Sequence, residues 1–283
     1  MKHQKRVAAI HDISGFGKCS LTVALPILSA AGIETAVVPT AVLSTHTGGI
    51  TGYTYRDLTD DLRAFINHWK SLNIKFDALY SGFLGSFEQL DIVSEIFDDF
   101  KEKDNLILVD PVMADNGELY KIFKPEFALG MKELCKKADI IVPNITEASL
   151  LIGEEYKEGP YTTEYINNLL RKLSDIGPEK IVLTGVFFDD KELGAATFNR
   201  TGNEISYVMS DRIPGYYHGT GDVFGSALLA ALLNDFDLTE STRIAVDFTT
   251  GSIRRTEAAK TDIRFGVDFE HGIPGFLKDL KLT

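Results

Sequence analysis

Cysteine is scarce in this chain of 283 residues: Cys19 and Cys135 stand far apart and in no metal-ligand spacing. That excludes a disulfide framework and a cysteine zinc site, and it points to a reducing compartment. Positive charge is also short, with 29 Lys and Arg against 41 Asp and Glu, for a formal net charge of -12. Such a surface opposes non-specific attraction to nucleic acid, so no nucleic-acid partner is expected. A bound nucleotide would need backbone N–H groups and a divalent cation to hold its phosphates. Long apolar runs are missing as well. The basic residues 1–6 lead into an apolar run, 7–10, too short for a signal peptide, and no segment approaches the roughly eighteen apolar residues of a membrane span. A cytoplasmic location without membrane association is the expectation. No Pro/Ser-rich linker, shift in composition or internal repeat divides the chain, so a single domain over residues 1–283 is expected.

What the sequence has is the composition of a globular core, 44% hydrophobic and 25% charged. Short β-rich runs alternate with longer amphipathic ones. Residues 6–12, 34–40, 76–81, 106–110, 139–142 and 180–184 read as strands, the last four nearly continuous apolar runs. Helices are expected at 20–31 and near 61–73, 87–102, 126–137 and 162–176, with two more at 220–233 and 239–256. Strands apolar on both sides and alternating with helices predict a mostly parallel central sheet covered on both faces. Residues 193–199 and 205–209, either side of Thr201-Gly202-Asn203, predict a small antiparallel hairpin at one edge. In open α/β sheets ligands bind beyond the carboxyl ends of the strands. Those ends carry Asp12, Ser81-Gly82, Asp110-Pro111, Pro143-Asn144 and Thr184-Gly185.

The sharpest candidate for chemistry is His218-Gly219-Thr220-Gly221-Asp222, ahead of an apolar helical stretch. Two glycines let successive N–H groups turn toward an anion at the first turn of a helix. Asp222 can take the proton of an incoming hydroxyl group while those N–H groups hold a phosphoryl group. A glycine turn with Asp222 as an ordinary first-turn charge is the structural alternative. Ser14-Gly15-Phe16-Gly17-Lys18-Cys19-Ser20 nearly spells two nucleotide motifs and fails both. A P-loop needs Gly and Ser or Thr where Asp12 and Cys19 stand, and a dinucleotide fingerprint needs Gly and an acid where Ser20 and Thr40 stand. What remains is a polar turn that could close over a small substrate, or a simple helix start capped by Ser20.

Asp110-Pro111-Val112-Met113-Ala114-Asp115 and Asn144-Ile145-Thr146-Glu147 bring carboxylates and an amide oxygen, hard ligands suited to magnesium directly or through its water shell. Asn144 and Glu147 also have the spacing of a helix capping box, and the two roles are compatible. None of the six histidines has a metal spacing, and Ser44, Ser81 and Ser149 lack the Gly-x-Ser-x-Gly elbow of a serine hydrolase.

In this order the motifs resemble the ribokinase-like superfamily and, within it, the pyridoxal kinases. The resemblance is carried by Gly219 to Asp222, by Asn144-x-x-Glu147, by Asp110-Pro111-Val112-Met113, by Ser44-Thr45-His46-Thr47-Gly48 and by Ser81-Gly82-Phe83-Leu84-Gly85-Ser86. It implies a three-layer α/β sandwich and transfer of the γ-phosphate of MgATP to the 5'-hydroxymethyl group of pyridoxal, pyridoxine or pyridoxamine. By resemblance Asp222 is the base and Gly219, Thr220 and Gly221 hold the transferring phosphate. Asp110, Asn144 and Glu147 organise magnesium, through water or directly, and Asp115, Val142 and Thr184 match positions near the nucleotide. Asp12, Ser14, Thr47, Gly48, Phe83 and Tyr120 match positions around the pyridine substrate, with Phe83 replacing a frequent tyrosine. The resemblance also implies a homodimer and leaves room for a monovalent cation such as potassium. One segment departs: Asp12-Ile13-Ser14-Gly15 is closer to the hydroxymethylpyrimidine kinases of thiamine synthesis than to the Gln-Ser-His of many pyridoxal kinases. A hydroxymethylpyrimidine kinase is therefore the first alternative, and a non-catalytic vitamin-binding protein on the same fold the second.

Overall fold

The run of apolar residues after Arg6 folds as the strand β1 (Arg6–Ser14), whose successive residues Val7, Ala8, Ala9 and Ile10 are all buried. Adjacent strand residues point to opposite faces, so this burial requires cover on both sides of the strand. The computed structural model describes residues 3–283; Met1 and Lys2 of the basic N-terminal stretch lie outside them. By internal contacts the chain forms two compact units, residues 1–79 with 213–283, and residues 80–212.

In the first unit β1 is followed by α1 (Leu21–Ala30) and by β2 (Glu34–Leu43), which pairs with β1 in parallel. The pairing continues through Ile13 and Ser14, opposite Val42 and Leu43, so β1 runs two residues further than its apolar pattern indicates. Its register shifts between His11 and Ile13, which places Asp12 beside a bulge, a device that re-aims side chains next to functional sites. The short strand β3 (Tyr55–Asp57) pairs antiparallel with β2; all three residues are exposed, so no apolar pattern announces it. The helix α2 (Thr59–Ser71) buries Leu62 and Ile66, one turn apart, and leads to β4 (Ala78–Ser81), on which the chain passes into the second unit.

The second unit continues with α3 (Phe87–Phe100), β5 (Leu106–Val109), the two-residue strands β6 (Ala114–Asp115) and β7 (Glu118–Leu119), α4 (Phe127–Cys135) and β8 (Ile140–Ile141). Then come α5 (Ile145–Ile152), α6 (Thr163–Ile176), β9 (Lys180–Val186), β10 (Glu192–Asn199) and β11 (Glu204–Asp211). The strand β8 runs parallel to β5 and β9, and β10 is antiparallel to both β9 and β11. This is the mostly parallel arrangement with an antiparallel edge that the sequence predicts. The hairpin of β6 and β7 turns on Asn116 and Gly117, both at positive φ, the Asn-Gly signature of a tight two-residue turn.

The chain re-enters the first unit through α7 (Thr220–Leu233), α8 (Leu238–Ala259) and α9 (Ile273–Asp279). Residues 223–231 of α7 are buried without interruption, because α1 and α8 both pack on this helix. Phe276 of α9 stacks on Phe248 of α8 with ring centroids 4.5 Å apart. Among the described residues no helix is long and apolar enough to cross a membrane.

Candidate active site

In the first unit the polar end of β1 meets the start of α1 and the first turn of α7. Gly219, the N-cap of α7, has φ 73°, and a Cβ there would run into the Lys18 carbonyl oxygen, so the turn admits only glycine. Asp222 stands in the first turn of α7 without capping it. Its carboxyl keeps some accessible surface but is mostly surrounded by protein, and this desolvation pushes its pKa up to about 7. The nearby Ser20 backbone N–H pulls the pKa down, and the charge of Asp12 adds to the rise. Asp12 is itself buried and its pKa raised by desolvation, against hydrogen bonds from Ser20 and Ser14. Ser20 Oγ donates to Asp12 Oδ1 over 2.6 Å and Ser14 Oγ to Oδ2 over 3.2 Å.

Ser20 does not take the role of helix cap considered for it in the sequence. Its side chain makes no capping hydrogen bond and turns to Asp12 instead. Beside this cluster His46 accepts from the Gly48 backbone N–H at Nδ1 (3.1 Å), while its Nε2 lies 2.5 Å from the Arg264 carbonyl oxygen, a pair of partners that fixes the ring proton on Nε2. The His218 ring lies 5.3 Å from that of His46 and covers Gly48, where a Cβ would come within 2.5 Å of His218 Nδ1. Thr47 stands exposed between His46 and Gly48.

In the second unit Asn144 and Glu147 form a complete capping box at the start of α5. Asn144 Oδ1 accepts from the Glu147 N–H and Glu147 Oε2 from the Asn144 N–H, each over 2.9 Å. Glu147 Oε1 also accepts from the Met113 N–H (3.1 Å), and Asn144 Nδ2 donates to the Ala114 carbonyl oxygen (2.9 Å), so the segment after β5 is fastened to this cap. Burial pushes the Glu147 carboxyl up to about 8, against the N–H groups of Asn144, Met113 and Ala114. Asp110, buried at the end of β5, donates its N–H to the Ser81 carbonyl oxygen (2.9 Å). Thr184 of β9 donates its N–H to the Pro143 carbonyl oxygen (2.9 Å), and Val142 to that of Val109 (3.0 Å). Asp115 lies in the β6–β7 hairpin and accepts from the Asn116 N–H (2.9 Å). The Phe83 ring packs 5.8 Å from that of Phe123, and Tyr120 is exposed.

Asp12, Ser14 and Ser20 thus share one hydrogen-bonded cluster, with Asp222 close enough to feel the charge of Asp12, while Asn144, Glu147 and Thr184 are joined through the Pro143–Asn144 segment. Sequence reasoning missed the bond of Ser20 to Asp12, which lies eight residues upstream at a bulge, and it missed Arg264, whose backbone oxygen holds His46 and which no motif encodes. Both ends of the Asn144 amide are committed, and each Glu147 oxygen takes a backbone N–H while keeping a lone pair. Among the described residues no three His, Cys, Asp or Glu side chains are placed to ligate one metal ion. This donor set fits a hydrated magnesium reached through water better than a bare ion.

The profile of the phosphomethylpyrimidine kinase family matches residues 25–266. A crystal structure from Bacteroides thetaiotaomicron VPI-5482 that carries the phosphomethylpyrimidine kinase name, solved in an orthorhombic form with pyridoxal, is 40% identical. It superposes with a TM-score of 0.92 over 97% of this chain and 96% of that one. Pyridoxal kinase from Lactobacillus plantarum is 30% identical, with a TM-score of 0.89 over 98% of each chain. The hydroxymethylpyrimidine/phosphomethylpyrimidine kinase of Aquifex aeolicus (strain VF5) is 27% identical over 176 residues, 62% of this chain and 67% of the relative. The first curated relatives are matched over half to two thirds of their own length.

Proposed function

The chain belongs to the phosphomethylpyrimidine kinase family, and from that membership we propose that it is an ATP-dependent pyridoxal kinase acting on the 5'-hydroxymethyl group of B6 vitamers. The observation that carries the chemistry is Asp222, a desolvated carboxyl with its pKa near 7 in the first turn of α7, directly behind a turn that only glycine can make. A base whose pKa lies near the working pH is matched to proton transfer. In the proposed reaction Asp222 takes the proton of the substrate alcohol, the alcohol oxygen forms a bond to the γ-phosphorus, and the bond from that phosphorus to the ADP oxygen breaks. The N–H groups of Gly219, Thr220 and Gly221 face the negative charge of the transferring group, as helix N-termini do for anions.

Asp110, Asp115, Val142, Asn144, Glu147 and Thr184 serve the nucleotide in this reading. Asp110 and Glu147 would hold a hydrated magnesium, and Asn144 acts by orienting Glu147; when bound, the ion neutralises charge on the phosphates. A monovalent cation such as potassium is the finer part of the same proposal. Asp12, Ser14, Thr47, Gly48, Phe83 and Tyr120 serve the pyridine ring. The family match runs through both compact units, which supports one catalytic domain over residues 1–283. A cytoplasmic homodimer completes the reading; its support is the pair of unlinked cysteines and the resemblance to pyridoxal kinases.

The pyridoxal in the 40% identical structure and the Lactobacillus plantarum relative favour pyridoxal as substrate. A second reading, hydroxymethylpyrimidine kinase, is favoured by Asp12-Ile13-Ser14-Gly15 and by the Aquifex relative. ADP formation over a panel of pyridine and pyrimidine alcohols, with and without magnesium and potassium, tests reaction and substrate together. Pyridoxal-dependent ADP formation that requires magnesium is expected. Tight pyridoxal binding with no ADP formed would mark a non-catalytic vitamin-binding protein.

A further inference from the structure

Thr146 stands inside the capping box of α5 and takes no part in it. Asn144 and Glu147 complete the box between them, and the Thr146 hydroxyl oxygen instead accepts from the Gly117 N–H over 3.0 Å. Gly117 lies at the turn of the β6–β7 hairpin, which has two residues in each strand. A two-stranded hairpin is marginal on its own even when longer, so this one takes its shape from what it is tied to. Three side-chain bonds tie it to the start of α5. Glu147 holds the Met113 N–H and Asn144 the Ala114 carbonyl oxygen, both at the base of the hairpin, whereas Thr146 reaches its tip. The tip is seated from another side as well: a Cβ on Gly117, at φ 81°, would come within 2.7 Å of the Tyr156 ring. Asp115 stands between the two ends of this attachment, after Ala114 and before Asn116-Gly117. Thr146 is buried and Gly117 exposed, so the bond closes the underside of a turn whose outer side meets water.

We propose that Thr146 is a positioning residue for the nucleotide: by pinning the tip of the β6–β7 hairpin to α5, its hydroxyl fixes Asp115 relative to Asn144 and Glu147. The inference rests on the kinase reading above for the roles of those three residues. The base of the hairpin keeps its two bonds when the Thr146 hydroxyl is lost, so the loss loosens the Asp115 side of the nucleotide site and leaves the capping box whole. Asp12, Ser14 and Asp222, which serve the alcohol in that reading, belong to the first unit and make none of these bonds. The nucleotide and the alcohol are therefore expected to respond differently to a change at Thr146.

Thr146→Val keeps the shape of the side chain and removes the hydroxyl; Thr146→Ser keeps the hydroxyl. The first readout is hydrogen exchange at the Gly117 amide in the intact chain, resolved by NMR. An exposed turn amide owes its protection to the bond it makes, so exchange should accelerate about fivefold or more in Thr146→Val and stay within about twofold of wild type in Thr146→Ser. The second is calorimetric titration with MgADP, whose affinity should fall about fivefold in Thr146→Val, as for the loss of one hydrogen bond, and recover in Thr146→Ser. In turnover the KM for MgATP should rise by a similar factor, while kcat and the KM for the alcohol move by less than about twofold. Wild-type affinity for MgADP in Thr146→Val, no recovery in Thr146→Ser, or an equal rise in both KM values overturns the inference. Should Thr146→Val not fold, Thr146→Ala, which leaves room for a water beside the Gly117 N–H, is held to the same three readouts. ADP formation by the wild-type protein keeps the two ideas apart: turnover with unchanged MgADP affinity in Thr146→Val removes the role of Thr146 and leaves the kinase. MgADP binding without turnover removes the kinase, and weaker binding in Thr146→Val then still supports Thr146 as holding the nucleotide. Wild-type protein that binds no MgADP overturns both.

Discussion

In the proposed reaction Asp222 links stability to activity through a single proton. Asp222→Asn removes the proton acceptor while keeping the size of the side chain, and it should lower kcat by about 100-fold or more in a coupled ADP assay. Near-normal turnover in the folded variant would remove Asp222 from the reaction. With its pKa near 7, wild-type kcat should fall as pH drops through that value, and the fall should be absent from the residual rate of Asp222→Asn. Stability has the opposite sign. The folded protein keeps this proton up to about pH 7, whereas an unfolded aspartate releases it near about 3.9. Between those values the folded state binds more protons, so the contribution of Asp222 to stability falls as pH rises. Thermal melts should therefore show Asp222→Asn gaining on the wild type, and gaining more at pH 8 than at pH 5. Asp222 stands out in the sequence as a candidate because the proposed chemistry needs a particular side chain behind particular glycines. The bond of Ser20 to Asp12 does not, because it depends on how the fold brings the two residues together.

At the scale of elements, two short segments carry the candidate site and can be tested apart. Asn144→Ala opens the capping box of α5, and loss of such a cap should cost about 1 kcal/mol in urea unfolding. An unchanged midpoint would mean that the Asn144 bonds are not holding the helix. Gly219→Ala places a Cβ against the Lys18 carbonyl oxygen at a positive φ, so it should destabilise the first unit by about 2 kcal/mol or more and abolish turnover. The strands and long helices were readable because apolar periodicity reports burial, as in β1, whose apolar run is covered on both faces. The elements that were not readable lack that signal. The strand β3 is exposed throughout and is held by pairing with β2. The β6–β7 hairpin is too short to show alternation, although Asn116-Gly117 marks its turn. The helix α9 packs on α1 and α8, with Phe276 stacked on Phe248, contacts that only the fold reveals.

For the whole molecule, α/β class and kinase chemistry follow from motifs spread along the chain, while the proposed ring selectivity rests on a few residues at the end of β1. Motif order survives in a linear reading because each piece sits at a strand end or a helix start, where the fold dictates glycine, asparagine or carboxylate. The proposed ring recognition involves Asp12 and Ser14, whose hydrogen bonds with each other and with Ser20 beside a bulge are a property of three-dimensional packing. The most direct measurement is a competition between equimolar pyridoxal and hydroxymethylpyrimidine under limiting MgATP, with both phosphate esters quantified by mass spectrometry. The product ratio then reports the ratio of kcat/KM values. Predominant pyridoxal 5'-phosphate is predicted; predominant hydroxymethylpyrimidine phosphate would contradict the assignment of substrate, and neither ester would contradict the kinase itself.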